Sequence, residues 1–66
     1  MPLIRKLDAN LWEARSRLHN RIARVFFTVG DGKMVLLHGF IKKSQKTPAS
    51  DLQLAKKRLK VVRRLL

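Results

Sequence analysis

The sequence predicts an α+β fold, a three-stranded antiparallel meander followed by one C-terminal helix. Three observations predict it. Side-chain character alternates with period two from Leu11 to Leu18. An Asp-Gly pair separates two apolar, β-branched runs. After Thr47-Pro48, apolar residues recur at three- and four-residue steps. The expected elements are strands at about 11–18, 22–29 and 33–41 and a helix at about 48–65. They form a single small domain over residues 1–66, with residues 1–10 as a lead-in.

In the first strand, LWEARSRL, Trp12, Ala14, Ser16 and Leu18 fall on one side. Glu13, Arg15 and Arg17 fall on the other, which reads as a wet face. The second strand, IARVFFTV, is rich in β-branched and aromatic residues. Asp31-Gly32 suits a type I′ turn, whose central residues both need positive φ. That two-residue loop sets Val29 opposite Met34, Phe27 opposite Leu36, Val25 opposite His38 and Arg24 opposite Gly39. One face then carries Val25, Phe27, Val29, Met34, Leu36 and Phe40. The other carries Ile22, Arg24, Phe26, Val35, Leu37 and Ile41. Both faces are apolar enough to need a cover, and one helix is left to provide it.

Thr47 can cap that helix, Pro48 suits its first position, and Asp51 places an anion in its first turn. Leu52, Ala55, Leu59, Val62 and Leu66 make one apolar stripe. Lys56, Lys57, Lys60, Arg63 and Arg64 make a basic face. Leu54, Val61 and Leu65 form a second apolar patch about 120° round the helix. That patch is a candidate contact for a partner chain or a second copy of this one.

Composition narrows the function. Sixteen Lys and Arg against four Asp and Glu give a net charge of +12 over 66 residues. Such an excess points to a polyanionic partner. With 45% hydrophobic residues the chain is too apolar for a disordered basic tail. No run approaches the length of a membrane span, and no signal peptide is evident, so a soluble cytoplasmic protein is expected. There is no cysteine, and His19 and His38 have no second pair to complete a metal site. Neither a metal nor a cofactor is expected.

Basic residues concentrate in two places. HGFIKKSQKTP, from His38 to Pro48, crowds Lys42, Lys43 and Lys46 with Ser44, Gln45 and Thr47 ahead of a helix N-terminus. This setting suits a phosphate group, and a solvated loop is the plainer alternative. On the sheet, a two-residue loop at His19-Asn20 puts Arg15 opposite Arg24, with Arg17 on the same face. A three-residue loop would send Arg24 toward Ser16. Like charges directly opposite are destabilising, so an arginine cluster calls for an anion. Gly39 beside Arg24 would leave room for it. His38 is expected in the core, with a catalytic role as the alternative. Trp12 is expected in the core, with base stacking as the alternative. His19 is expected to be solvated. The acidic residues Asp8, Glu13, Asp31 and Asp51 are scattered.

LWEARSRL, IARVFFTV, GDGK, MVLLHGFIKKSQKTP and DLQLAKKRLK, taken in order, resemble the C-terminal half of the RelE/HigB-like toxins of bacterial toxin–antitoxin pairs. The phage-derived branch is the most similar. The resemblance covers nearly the whole chain, and LLHGFIKKSQKTP is its most specific part. It implies a truncated RelE-like fold and a ribosome-dependent mRNA endonuclease. Its partners would be mRNA on the ribosome and a cognate antitoxin, often of helix-turn-helix type. It also implies roles for Arg24, Lys43 and Arg17 in catalysis, with Arg15, Arg17, Arg24, Lys42, Lys43 and Lys46 contacting RNA. Such cations would stabilise charge as a 2′-hydroxyl attacks the adjacent phosphate. Family members usually begin with a further strand and a helical hairpin. Some carry a C-terminal tyrosine in the site, and this chain has no tyrosine.

Overall fold

A computed structural model describes residues 3–43 and 46–65. Ser44 and Gln45 of the lysine-rich loop, and Leu66 of the helical stripe, lie outside the described residues. The chain runs β1 (Leu3–Asp8), β2 (Leu11–Arg17), β3 (Ile22–Gly30), β4 (Lys33–Lys42) and α1 (Ala49–Leu65). The strands form one antiparallel sheet in the order β1-β2-β3-β4. The α+β meander with a C-terminal helix is as expected, with one strand more. The lead-in segment LIRKLD forms that strand at the sheet edge. Its mixed apolar and basic pattern hides it in the sequence, but edge strands tolerate charge. Asn10, at φ 62°, turns the chain from β1 into β2.

The β3–β4 turn is type I′ as expected, with Asp31 at φ 54° and Gly32 at φ 70°. Val29 pairs with Met34 and Phe27 with Leu36, also as expected. Beyond that point the ladder slips. Leu37 is an extra residue in β4, so Phe26 faces His38, Val25 faces Gly39 and Arg24 faces Phe40. The expected pairs Val25–His38 and Arg24–Gly39 are therefore corrected. Gly39 makes no special room for Arg24, since a Cβ there would meet the Arg24 carbonyl and Val25 Cγ2 at an ordinary 3.6 Å. The bulge has a packing reason. It keeps Leu37 in the core with Leu11, Phe26 and Ala55, and it brings Phe40 onto the same core. His38 moves with it, away from Val25 and Phe27, and stacks against both Phe26 and Phe40, which also meet each other. Arg58 of α1 donates a 2.8 Å hydrogen bond from Nη1 to the Leu37 carbonyl at the bulge.

The expected stripe of α1 does cover the sheet. Ala55 is fully buried, and Leu52, Leu59 and Val62 pack around it. What differs is the face covered. Leu11, Glu13 and Arg15 lie on the helix side of β2, because they pair across to the side of β3 that carries Phe26 and Arg24. The expected wet face is thus the covered one. The Trp12 side lies open. Trp12 is only half-buried there, stacked on Phe27 at 6.2 Å with Lys6 Nζ 5.4 Å from its ring, so its expected place in the core is corrected. Ile4, Met34, Leu36 and Ile41 are exposed, Leu36 at 66%.

The fully buried Thr28 hydroxyl has no hydrogen-bond partner among the described residues. Burying such a group costs about 1–3 kcal/mol. Thr28→Val keeps the shape and removes that cost. The expected outcome is a gain of about 1 kcal/mol, read as a rise of about 4–8 °C in thermal midpoint.

Candidate nucleic-acid interface

The β2–β3 loop decides where the arginines meet. The Leu18 N–H donates to the Arg21 carbonyl at 2.8 Å, closing a two-residue loop at His19-Asn20. Arg15 is consequently opposite Arg24, as expected. The anion that this pair calls for comes from the chain itself. Glu13 is 0% exposed and Arg24 1% exposed. Arg24 Nη1 lies 3.3 Å from Glu13 Oε2. Glu13 Oε1 lies 3.3 Å from Nε of both Arg5 and Arg15, within ion-pair range but without hydrogen-bond alignment. Three guanidiniums around one carboxylate leave an excess of two positive charges.

Thr47 closes this cluster. Its Oγ1 donates to Glu13 Oε2 at 2.8 Å and accepts from Arg24 Nη1 at 2.9 Å. The expectation that Thr47 caps the helix is corrected. The first helical hydrogen bond runs from the Leu52 N–H to the Pro48 carbonyl at 3.1 Å, so Pro48 holds the cap position. A hydroxyl placed between a buried carboxylate and a guanidinium makes charge-assisted bonds, which are stronger than a neutral cap.

The helix N-terminus has its own anion. His38 Nε2–H donates to Asp51 Oδ1 at 2.8 Å, and Lys42 Nζ donates to Asp51 Oδ2 at 2.9 Å. The Lys42 hydrogen bond, then that of His38, hold the Asp51 carboxyl below its ordinary range. Lys42 is thereby committed to a carboxylate, and its Nζ also sits 5.4 Å from the Phe40 ring.

The remaining cations separate from both clusters. Arg17 and Lys43 are exposed and form no ion pair with an acidic residue among the described residues. Both line a shallow pocket of about 200 Å³ at one end of the sheet, together with His19, Asn20 and Arg21. Lys46 is exposed beside Thr47. The six expected RNA contacts are therefore divided among four environments. Arg15 and Arg24 bind Glu13, Lys42 binds Asp51, and Arg17 and Lys43 share the pocket, with Lys46 exposed nearby in sequence. On α1, Leu54 is half-buried, while Val61 and Leu65 are 56% and 83% exposed. Among the described residues, no three His, Asp or Glu side chains are placed to hold a metal ion. No helix there is long and apolar enough to cross a membrane.

Sequence reading missed Glu13 and the pocket residue Arg21. Glu13 had a signal, since it is the one acid within the alternating strand and shares its side with Arg15. Arg21 had none, because only the closed loop brings it beside Lys43.

A basic four-stranded sheet with one covering helix defines the class. The chain matches the model of the phage-derived Gp49-like proteins (DUF891) over residues 1–60, and it belongs to that family. The family is associated with RelE/HigB-type toxins. No curated protein and no solved structure matches the chain.

Removing one partner of a buried pair costs about 3–5 kcal/mol. A core of this size supplies about as much in total. Glu13→Ala is therefore expected to unfold the chain at 25 °C by circular dichroism. The double variant Glu13→Leu with Arg24→Met leaves no lone buried charge and is expected to be the more stable of the two. Asp51 acts on the acid limb. A carboxyl whose pKa is lowered by folding stabilises the fold above its unfolded value, and that contribution is lost as pH falls below about 4. Asp51→Asn is expected to flatten the decline in thermal midpoint below that pH.

Proposed function

We propose that this chain is the RNA-directed toxin of a toxin–antitoxin pair, acting in the cytoplasm as a ribosome-dependent mRNA endonuclease or a derivative of one. Its family's association with RelE/HigB-type toxins supports this reading. The observation that carries it is the excess of cations around Glu13 and at the adjoining sheet end. A positively charged surface of this kind attracts the RNA backbone and stabilises charge developing on a phosphate.

In this reading a 2′-hydroxyl attacks the adjacent phosphorus and the bond to the 5′-oxygen breaks. Arg17 and Lys43 stabilise the phosphate charge. Arg24, which lies beneath Thr47, is a positioning residue that holds Glu13 and, through it, Arg15. Lys42 and Lys46 extend the RNA-facing surface. The exposed Val61 and Leu65, with Leu54, take the cognate antitoxin, expected to be of helix-turn-helix type, or a second copy in a homo-oligomer. The enclosure of Arg24 favours a second reading, a non-catalytic basic nucleic-acid-binding or antitoxin-binding remnant.

Cleavage of mRNA on translating ribosomes and growth arrest on expression separate the two. The endonuclease reading expects both from the wild type. Arg17→Gln with Lys43→Gln is expected to lower cleavage by about 10²-fold or more while leaving the thermal transition in place. RNA binding without any cleaved product would assign the second reading.

A further inference from the structure

The pocket at the sheet end collects basic groups from three separate parts of the chain. Arg17 ends β2, and His19 and Asn20 form the tight loop that Arg21 closes ahead of β3. Lys43 directly follows β4 and arrives beside them because Ile22 pairs with both Arg17 and Lys42. The meander therefore brings distant cations to one place. None of the four acidic residues lines this pocket. Glu13 and Asp51 are committed to their own clusters, Asp8 lies near Lys56, and Asp31 sits in the turn at the opposite end of the sheet. Three permanent cations gathered without a counter-charge repel one another, and a bound anion relieves that repulsion.

We propose that this pocket is a phosphate-binding subsite for single-stranded RNA, with Arg17, Arg21 and Lys43 as its cationic ligands. The proposal rests on the RNA-directed reading above and extends it to Arg21, His19 and Asn20. Its chemistry favours a backbone phosphate over a base. The lining offers guanidinium and ammonium donors, the Asn20 amide and the His19 ring beside Leu18 and Ile22, and its fixed charges are all positive. Arg21 supplies the planar fork that grips two phosphate oxygens at once, and Lys43 supplies a compact charge. The pocket is shallow, about 200 Å³, and open to an extended strand passing across the sheet end.

Anisotropy of a labelled six-nucleotide RNA, read over a range of salt concentrations, tests this. Arg21→Gln is expected to weaken binding about 10-fold and to lower the salt slope by about 0.7, the amount for one phosphate contact on a single strand. Lys33→Gln removes the same charge at the far end of the sheet and is expected to stay within about twofold of wild type. Both positions are exposed, and thermal melts check that both variants fold. Binding by Arg21→Gln equal to wild type, equal losses in both variants, or no binding by wild type overturns the subsite. Ribosomal cleavage measured alongside keeps the two readings apart. A pocket-dependent affinity with no cleavage overturns the endonuclease and leaves the subsite standing. Cleavage with an unchanged Arg21→Gln affinity overturns the subsite alone.

Discussion

Glu13 is a single carboxylate, out of contact with water, shared among Arg5, Arg15 and Arg24. Those side chains come from β1, β2 and β3, and Thr47 adds the segment that leads into α1. Every part of the sheet except β4 is thus tied to one charge. The attraction matters because desolvating an arginine costs several kcal/mol unless a partner is in place. Arg24 is tolerated in the interior because Glu13 and Thr47 meet it there. The position of α1 depends on the same contact, since Thr47 cannot both close the cluster and cap the helix.

That demand shapes the rest of the molecule. With Thr47 engaged, Pro48 takes the cap position and Asp51 serves as the anion of the first helical turn. Asp51 in turn holds Lys42 and His38, which fastens the end of β4 to the helix. The Leu37 bulge makes this possible by turning His38 and Phe40 toward α1, and Arg58 from the helix takes the Leu37 carbonyl. Two carboxylates therefore organise the covered face, and Glu13 is surrounded by more positive charge than it cancels. Arg17 and Lys43, which neither carboxylate reaches, meet Arg21 where β2 and β4 end.

Much of this fold was legible in the sequence. Period two through LWEARSRL marked β2, Asp31-Gly32 marked the type I′ turn between β3 and β4, and the Leu52, Ala55, Leu59, Val62 spacing marked the buried side of α1. The opposition of Arg15 and Arg24 was one of two registers the sequence offered, and the two-residue loop selects it. The edge strand β1 was not, since an exposed edge carries no strict alternation. Nor was the inward turn of Glu13 and Arg15. Polarity along β2 points to solvent on that side, but α1 packs on the face that carries Leu11, Phe26 and Leu37. The open side keeps Trp12 and Phe27 in a stack of their own.

By itself the sequence determined the α+β class, three of the four strands, the helix and its packing stripe, and the concentration of cations on the sheet and the lysine-rich loop. These follow from local periodicity and turn chemistry, which act over a few residues. Tertiary structure alone decided which sheet face is buried, where the bulge falls, and which cations are neutralised. Those outcomes depend on charges and apolar groups far apart in the chain competing for one small interior. A buried arginine is stable only where a carboxylate already stands, and that meeting of Glu13 with Arg24 exists only once β2, β3 and the approach to α1 have come together.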